Sequence, residues 1–466
     1  MRLCRLAISA LFVACEAAPP APPPDPSALS VLTDLDPRPD VVHVSLVARE
    51  TEVDVGGPGL SAAWVYADAA GPPPDGRLAG PLLVAKPGDL IVVDFENRLS
   101  RAATTIHWHG LRLDSAMDGA GNHAGDEIFP GERFQYRFVA KDEGTFWFHP
   151  HVRSDEQIER GLAGAVVVRA DGAAPHHTER VLVLDDVDTD ADGAIVIEPS
   201  DDDLMAGRRG DTLLVNGLVE PTVPAVRGDV ERWRLVNASN GRYFDVTAPP
   251  LGLRIVASDG GALLDPFTVP TLRIAPGERF TVEVDLSGAQ GDEITVMTLP
   301  VDTGHGAPDA GPRTLFSLTL ERGEPRAPVP LVPRALDEIV PRGAAPTRDV
   351  PLREVMDPSV GALYLIGDEA WPFNTPWTSS AGAVEIWRVR NETMGDHPFH
   401  IHGMFFQILD GSGRPRADVG WKDTVNVPRG ESITIALPLE RGHWMFHCQI
   451  PEHAERGMMG EIHVAP

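Results

Sequence analysis

Between Gly442 and Gly460 the chain reads G-H-W-M-F-H-C-Q-I-P-E-H-A-E-R-G-M-M-G, and inside it stand His447, Cys448, His453 and Met458. A thiolate, imidazoles and a thioether gathered in one place are the donors of a type 1 (blue) copper centre, where Cys and two His lie in a plane with a weak axial Met. One more His has to come from elsewhere. The other His-rich stretches are Ile106-His107-Trp108-His109-Gly110, Phe148-His149-Pro150-His151 and His397-Pro398-Phe399-His400-Ile401-His402-Gly403. Residues i and i+2 of a strand point to the same face, so an H-x-H pair can chelate one metal or reach toward two adjacent ones. Imidazole suits copper, and such pairs on two facing units would line an interface with enough donors for a copper cluster. Because Cys448 directly follows His447, an electron would have a short bonded route from the thiolate to that cluster.

The elements that must position these donors are strands. Gly88-Asp89 opens a segment in which Ile91, Val93 and Phe95 point one way, and Asn97 follows nine residues after the glycine. Gly228-Asp229 leads through Trp233 and Leu235 to Asn237, and Gly382 leads through Trp387 and Val389 to Asn391, at the same spacing. A turn-and-strand module follows each copy: Pro130-Gly131-Glu132-Arg133 before FQYRFV, Pro276-Gly277-Glu278-Arg279 before FTVEVDL, and Gly430-Glu431-Ser432 before ITIALPL. The period is about 150 residues, a common domain size. The chain is therefore read as all-β, with three tandem Greek-key β-sandwiches. The expected division is 1–40 for an export segment and Pro-rich spacer, then domains at 41–172, 173–335 and 336–466, with breaks near Asp171–His177 and Arg322–Pro346. In the repeat frame His107 and His109 match His400 and His402, while His149 and His151 match His447 and Gln449. The second unit shows only NASNGRYFDV and ITVMTLP at these places, so it is expected to hold no metal ligand.

Charge and cysteine usage narrow the function classes. A formal net charge of −28 leaves nothing to offset phosphate repulsion, which argues against a nucleic-acid or anionic-lipid surface. Arg2 and Arg5 precede an apolar run from Leu6 to Ala14, too short to span a bilayer and suited to an export signal. It ends F-V-A-C like a bacterial lipobox, so Cys15 is expected to be a lipid-anchor site, with ordinary signal cleavage nearby as the rival, and Pro19–Pro26 to be a stiff spacer. The expected location is the bacterial periplasm or cell envelope, with an outer-membrane lipoprotein as the more specific form. With Cys4 and Cys15 in that segment, Cys448 is the one thiol of the folded body, and an unpaired thiol in an oxidising compartment calls for a metal.

HWHG, HPH, HPFHIHG and HCQIPEHAERGMM, together with GWKDTVNVP at Gly420–Pro428, resemble the motifs of the multicopper oxidases, a group that includes laccases. The resemblance runs from about Val42 to Pro466 and implies cupredoxin-like domains. It also implies about four copper ions: one type 1, one type 2 and a type 3 pair. It assigns type 1 copper to His397, Cys448, His453 and axial Met458, type 2 to His107 and His400, and the type 3 pair to His109, His149, His151, His402 and His447. It further implies that Cys448 and His447 carry electrons between the sites and that Asp118, in the MDG run, assists protonation of reduced oxygen. The expected partners are dioxygen and a small reductant such as a phenol, an amine or a metal ion. Loops within Leu352–Ser379 are expected to shape the type 1 pocket.

One position departs from the family pattern. Gln449 stands where the sixth type 3 His belongs, leaving one copper with His109 and His149 and a hard, neutral amide oxygen that suits Cu(I) poorly. The main reading is a laccase-like oxidase. The alternative is a copper-binding or electron-transfer protein whose oxygen reduction Gln449 has impaired, and a minor one is copper-dependent nitrite reduction. His43, His123, His176, His177, His305, His443 and His463 are read as structural, Trp108 and Trp444 as packing, and Glu452 and Glu455 as surface residues. Met404, Met445 and Met459 form no Met-rich segment that would recruit Cu(I).

Overall fold

The computed structural model describes residues 25–72, 75–120, 127–170, 179–304 and 308–466. The export segment with Cys4 and Cys15, the first break near Asp171–His177, and His123, His176, His177 and His305 lie outside the described residues. The described chain is strands joined by turns, and its α-helices have no more than six residues. None of the described helices is long and apolar enough to cross a membrane.

The strands form six sheets, two for each of three cupredoxin-like β-sandwich domains. One pattern recurs in the first sheet of each pair. Val41–Val53 runs parallel to Leu90–Asn97, Glu179–Val187 parallel to Val230–Asn237, and Arg348–Asp357 parallel to Val384–Asn391. The repeat strand then pairs antiparallel with the strand after the Pro-Gly or Gly-Glu turn: Arg133–Val139, Arg279–Asp285 or Ser432–Pro438. The apolar residues of these repeat strands face inward. Ile91, Val93 and Phe95 share one buried cluster with Phe146 and Phe148 of the second sheet, Trp233 and Leu235 share one with Phe244 and Val246, and Trp387 and Val389 share one with Phe399 and Phe446. Each large apolar side chain buried this way contributes roughly 1.5–3 kcal/mol.

The repeated Asn has a physical reason. Asn97, Asn237 and Asn391 each end their strand fully inside the protein. Each donates Nδ2–H to two backbone carbonyls: Ala102 and Ile128, Arg242 and Ile274, or Gly395 and Val427. Its Oδ1 accepts from the backbone two residues on, at Leu99, Ser239 or Thr393. Its own carbonyl accepts from the turn glycine, Gly131, Gly277 or Gly430, all at positive φ. The two repeat modules are thus the two halves of one lock. The lock ties the end of the central strand to the turn and to the loop that leads into the next sheet.

Only an amide can both donate twice and accept at this position. Asn237→Ala should lower stability by about 2–4 kcal/mol, because it leaves buried carbonyls unpaired. Asn237→Asp should fail similarly, since a carboxylate has no N–H to give. Denaturant unfolding of the two variants beside the wild type checks this, and unchanged midpoints would refute the lock.

Candidate metal centre

Two sets of donors converge in the third domain and at its face toward the first. The hairpin formed by Gly442–Cys448 and Met459–Ala465, with its connection, delivers three members of one set, and the strand His397–Ile401 delivers the fourth, His397. Cys448 Sγ lies 3.5 Å from His397 Nδ1 and 3.8 Å from His453 Nδ1, and these two nitrogens are 3.1 Å apart. All three residues are buried, as is Met458. Backbone bonds from Cys448 N to Met458 O and from Met458 N to His453 O, both 3.0 Å, bind the methionine's backbone to that of the other two. The outer nitrogens are held as well: His397 Nε2 is 2.8 Å from Thr393 Oγ1, and His453 Nε2 is 3.2 Å from the Met205 carbonyl. Burial pushes the Cys448 thiol well above its ordinary range, as it does for a thiol with no cation beside it. Leu352–Ser379, within which loops were expected to shape this pocket, holds most of a hairpin and a further short strand joined by connecting segments. Its Tyr364 ring stacks on His453 at 4.2 Å.

The second set lies between the first and third domains. His107 pairs across strands with His149, and His400 pairs with His447 in the same way, so the repeat frame read from the sequence is a real structural correspondence. His151 and His402 lie just beyond their strands. The two domains meet ring on ring: His107 stacks on His402 and His109 on His400, each at 3.7 Å between centroids. His447 Nε2 comes within 3.0 Å of His402 Nε2 and 3.2 Å of His151 Nε2.

The outer nitrogens of this set are tied down. His107 Nδ1 meets the Asp118 carbonyl at 3.0 Å, His149 Nδ1 the Pro150 carbonyl at 2.9 Å, His400 Nδ1 the Asp423 carbonyl at 2.9 Å, and His447 Nδ1 the Cys448 carbonyl at 2.8 Å. His402 Nδ1 meets Asp118 Oδ2 at 2.7 Å, and His109 Nε2 meets Thr424 Oγ1 at 3.0 Å. The opposite atoms of four rings, His107 Nε2, His109 Nδ1, His149 Nε2 and His400 Nε2, are buried with no hydrogen-bond partner. Gln449 Oε1 is a fifth such atom. Leaving several acceptors buried and unpaired is costly, and a soft or borderline cation that accepts imidazole donors relieves that cost. The seven His and the thiolate set therefore fit copper, with Gln449 as the one hard donor among them.

Electrostatics keep His109, His149, His402 and His447 neutral and ready to ligate. Burial first, and neighbouring imidazoles second, hold His109, His149 and His447 well below the ordinary His value. His402 is lowered to about 3, again chiefly by burial. Burial alone would raise Asp118, but His402 and His107 outweigh it and hold its carboxyl well below the usual range.

The structure adds residues that the sequence did not single out. Asp423, in the GWKDTVNVP run, reaches His109 Nε2 at 3.2 Å and is itself gripped through both oxygens by Arg279. Arg279 comes from the second domain, is fully buried, and also donates Nε–H to the Thr145 carbonyl of the first. Its counterpart in the first repeat, Arg133, is a surface residue, so the shared Pro-Gly-Glu-Arg spelling carried no signal. Glu452, read as a surface residue, is instead fully buried between the second and third domains. Its Oε1 accepts from Asn240 Nδ2 at 2.8 Å and lies 3.7 Å from Arg208 Nε.

Comparison with known proteins follows the same outline. Models of the multicopper oxidase family match residues 73–173, 176–315 and 349–466. The multicopper oxidase mco of Staphylococcus epidermidis is 29% identical over 408 residues, covering 84% of this chain and 83% of that protein. The cell division protein FtsP of Xenorhabdus nematophila is 30% identical over 414 residues, covering 84% of each. The solved multicopper oxidase of Campylobacter jejuni, described as a metallo-oxidase, superposes with a TM-score of 0.79 at 26% identity and 94% coverage of both chains.

Two outcomes test the buried charges. Arg279→Met leaves Asp423 buried without its cation and should cost about 3–5 kcal/mol in thermal unfolding, whereas Arg279→Lys should cost less because it keeps the charge. Equal losses in the two variants would show that packing rather than charge matters. Burial raises Glu452 from 4.5 to about 7, so the folded state keeps a proton that the unfolded state gives up, and stability falls as pH rises across that window. Glu452→Gln keeps the acceptor for Asn240 and removes the titration. In metal-free protein the variant should match the wild type at pH 4 and exceed it by roughly 3 kcal/mol at pH 8; a gap that does not grow with pH would rule out the burial effect.

Proposed function

The chain belongs to the multicopper oxidase family and is a copper-dependent oxidoreductase, and we propose that it works as a laccase-like oxidase with a blue copper site joined to a trinuclear cluster. Bound copper would supply the redox chemistry: one-electron acceptance from a reductant and reduction of dioxygen to water. The supporting observation is the ring of inward-facing, buried and unpartnered donor atoms at the interface of the first and third domains. In this reading His397, Cys448, His453 and Met458 hold type 1 copper, and His107 and His400 hold type 2. His109, His149, His151, His402 and His447 hold the type 3 pair.

The residues around these donors divide the work. Thr393 and the Met205 carbonyl orient His397 and His453, and Tyr364 covers His453. Cys448 and His447 are consecutive in one strand, so the two donor sets are joined by a handful of covalent bonds. Asp118 Oδ2 holds His402, while its Oδ1 is buried with no hydrogen-bond partner of its own. A carboxylate kept ionised beside the cluster can accept and pass on the protons that water formation consumes.

A second reading rests on Gln449. Its amide oxygen replaces an imidazole in the set that includes His109 and His149, and an amide is a poor ligand for Cu(I). A copper-binding or electron-transfer protein with impaired oxygen reduction would result.

Copper content and oxygen uptake separate the two. Copper-saturated wild type that holds about four ions, is intensely blue and consumes oxygen with a generic phenol supports the oxidase. One or two ions without uptake would support the second reading. Cys448→Ser should abolish the colour, and a copper-loaded, oxidised wild type that stays colourless would sink the type 1 assignment. If Gln449 limits the cluster, Gln449→His raises both copper content and turnover.

A further inference from the structure

We propose that His443, Glu461 and His463 form a separate site for a divalent late transition-metal ion, zinc or copper, on the outer face of the third domain. The three residues were not expected to act together. His443 and His463 stand directly opposite each other on the paired strands Gly442–Cys448 and Met459–Ala465, and Glu461 lies two residues before His463 on the same face. One donor atom from each, two imidazole nitrogens and a carboxylate oxygen, lie within 4.8 Å of one another. His463 Nε2 is 3.0 Å from Glu461 Oε1, and the His443 and His463 rings stack at 4.0 Å and 10°.

The chemistry of the set selects the ion. Two imidazoles and one carboxylate, with solvent able to complete the shell, match Zn²⁺ or Cu²⁺, whereas Mg²⁺ and Ca²⁺ prefer all-oxygen shells. Metal–nitrogen bonds of about 2.0–2.1 Å need both nitrogens turned toward one point, so binding must splay the stack. His443 is exposed and Glu461 is buried. The site opens on a recess that Asp114, Ser115 and Arg441 also line, and the strongly negative chain draws cations to its surface.

The site is distinct from the buried donors. His443 precedes His447, the nearer buried donor on this strand, by four residues, which places it on the order of 13 Å away at about 3.3 Å per residue. No ion could be shared over that distance. The inference also stands apart from the oxidase reading, since it needs no copper in the buried sites.

The test uses full-length, copper-saturated and dialysed protein, titrated in parallel with Zn²⁺ and Cu²⁺ by calorimetry, with electron paramagnetic resonance following the Cu²⁺ arm. The wild type should take up one further equivalent of at least one of the two ions, and bound Cu²⁺ should add a non-blue signal. The arm that binds more tightly identifies the ion. That equivalent should be lost in His443→Ala/His463→Ala, weakened in Glu461→Gln, and kept in Gln449→His. Circular dichroism checks the fold, and His443→Asn, at an exposed position, serves if the double variant does not fold. The proposal is overturned if the wild type takes up no further ion, if the variants bind as the wild type does, or if the extra equivalent disappears in Gln449→His.

Discussion

The interaction on which the centre depends is the buried ion pair between Arg279 and Asp423. Taking both charges out of water costs several kcal/mol per ion, and only good geometry with further hydrogen bonds offsets it. Here the guanidinium is a two-pronged donor to one carboxylate and also gives Nε–H to Thr145, while Lys422 lies 3.1 Å from Asp259 and 2.9 Å from Glu278 beside it. The carboxylate in turn lies against His109, and its backbone carbonyl holds His400. One salt bridge therefore fixes rings from the first and third domains, and its cation belongs to the second. The middle domain contributes none of the proposed ligands, yet its Arg279 is what holds the outer two in register.

That division of labour explains what the sequence could and could not tell. The donor residues were legible because each lies in a short, distinctive string, and strand periodicity sets which of them share a face. The Asn of each repeat was visible as spacing, and the structure supplies its reason in the buried amide bonds. Arg279 and Glu452 were not legible. Their burial comes from packing against a different domain, and no local pattern records that. Arg133 and Arg279 occur in the same four-residue string, but one meets solvent and the other meets Asp423. His443, Glu461 and His463 were missed for a related reason. His443 meets the other two only across strands, and cross-strand register is not written in the spacing of either strand alone.

Gln449 shows how such a centre can change without collapsing. Its backbone N–H still donates to the Pro398 carbonyl at 2.7 Å, as a histidine there could also do, and its side chain stays within the cluster wall. Gly277, at positive φ, leaves it room: a Cβ at that glycine would come within 2.5 Å of Gln449 Cγ and 3.1 Å of His109 Cε1. The replacement alters one donor while the scaffold that aims the others is untouched.

The strand Gly442–Cys448 is also a partition. His447 looks across the domain boundary, while the next residue, Cys448, belongs to the third domain's own core. Neighbouring strand positions face opposite ways, so the two donor sets are kept apart by the pleat itself. A single inserted residue within this strand would exchange its inner and outer faces and misplace both donor sets in one event. The distance between them is therefore set by peptide geometry. Side chains can be substituted one at a time, as at Gln449, but the spacing cannot drift, and the strand works as a ruler as well as a wall.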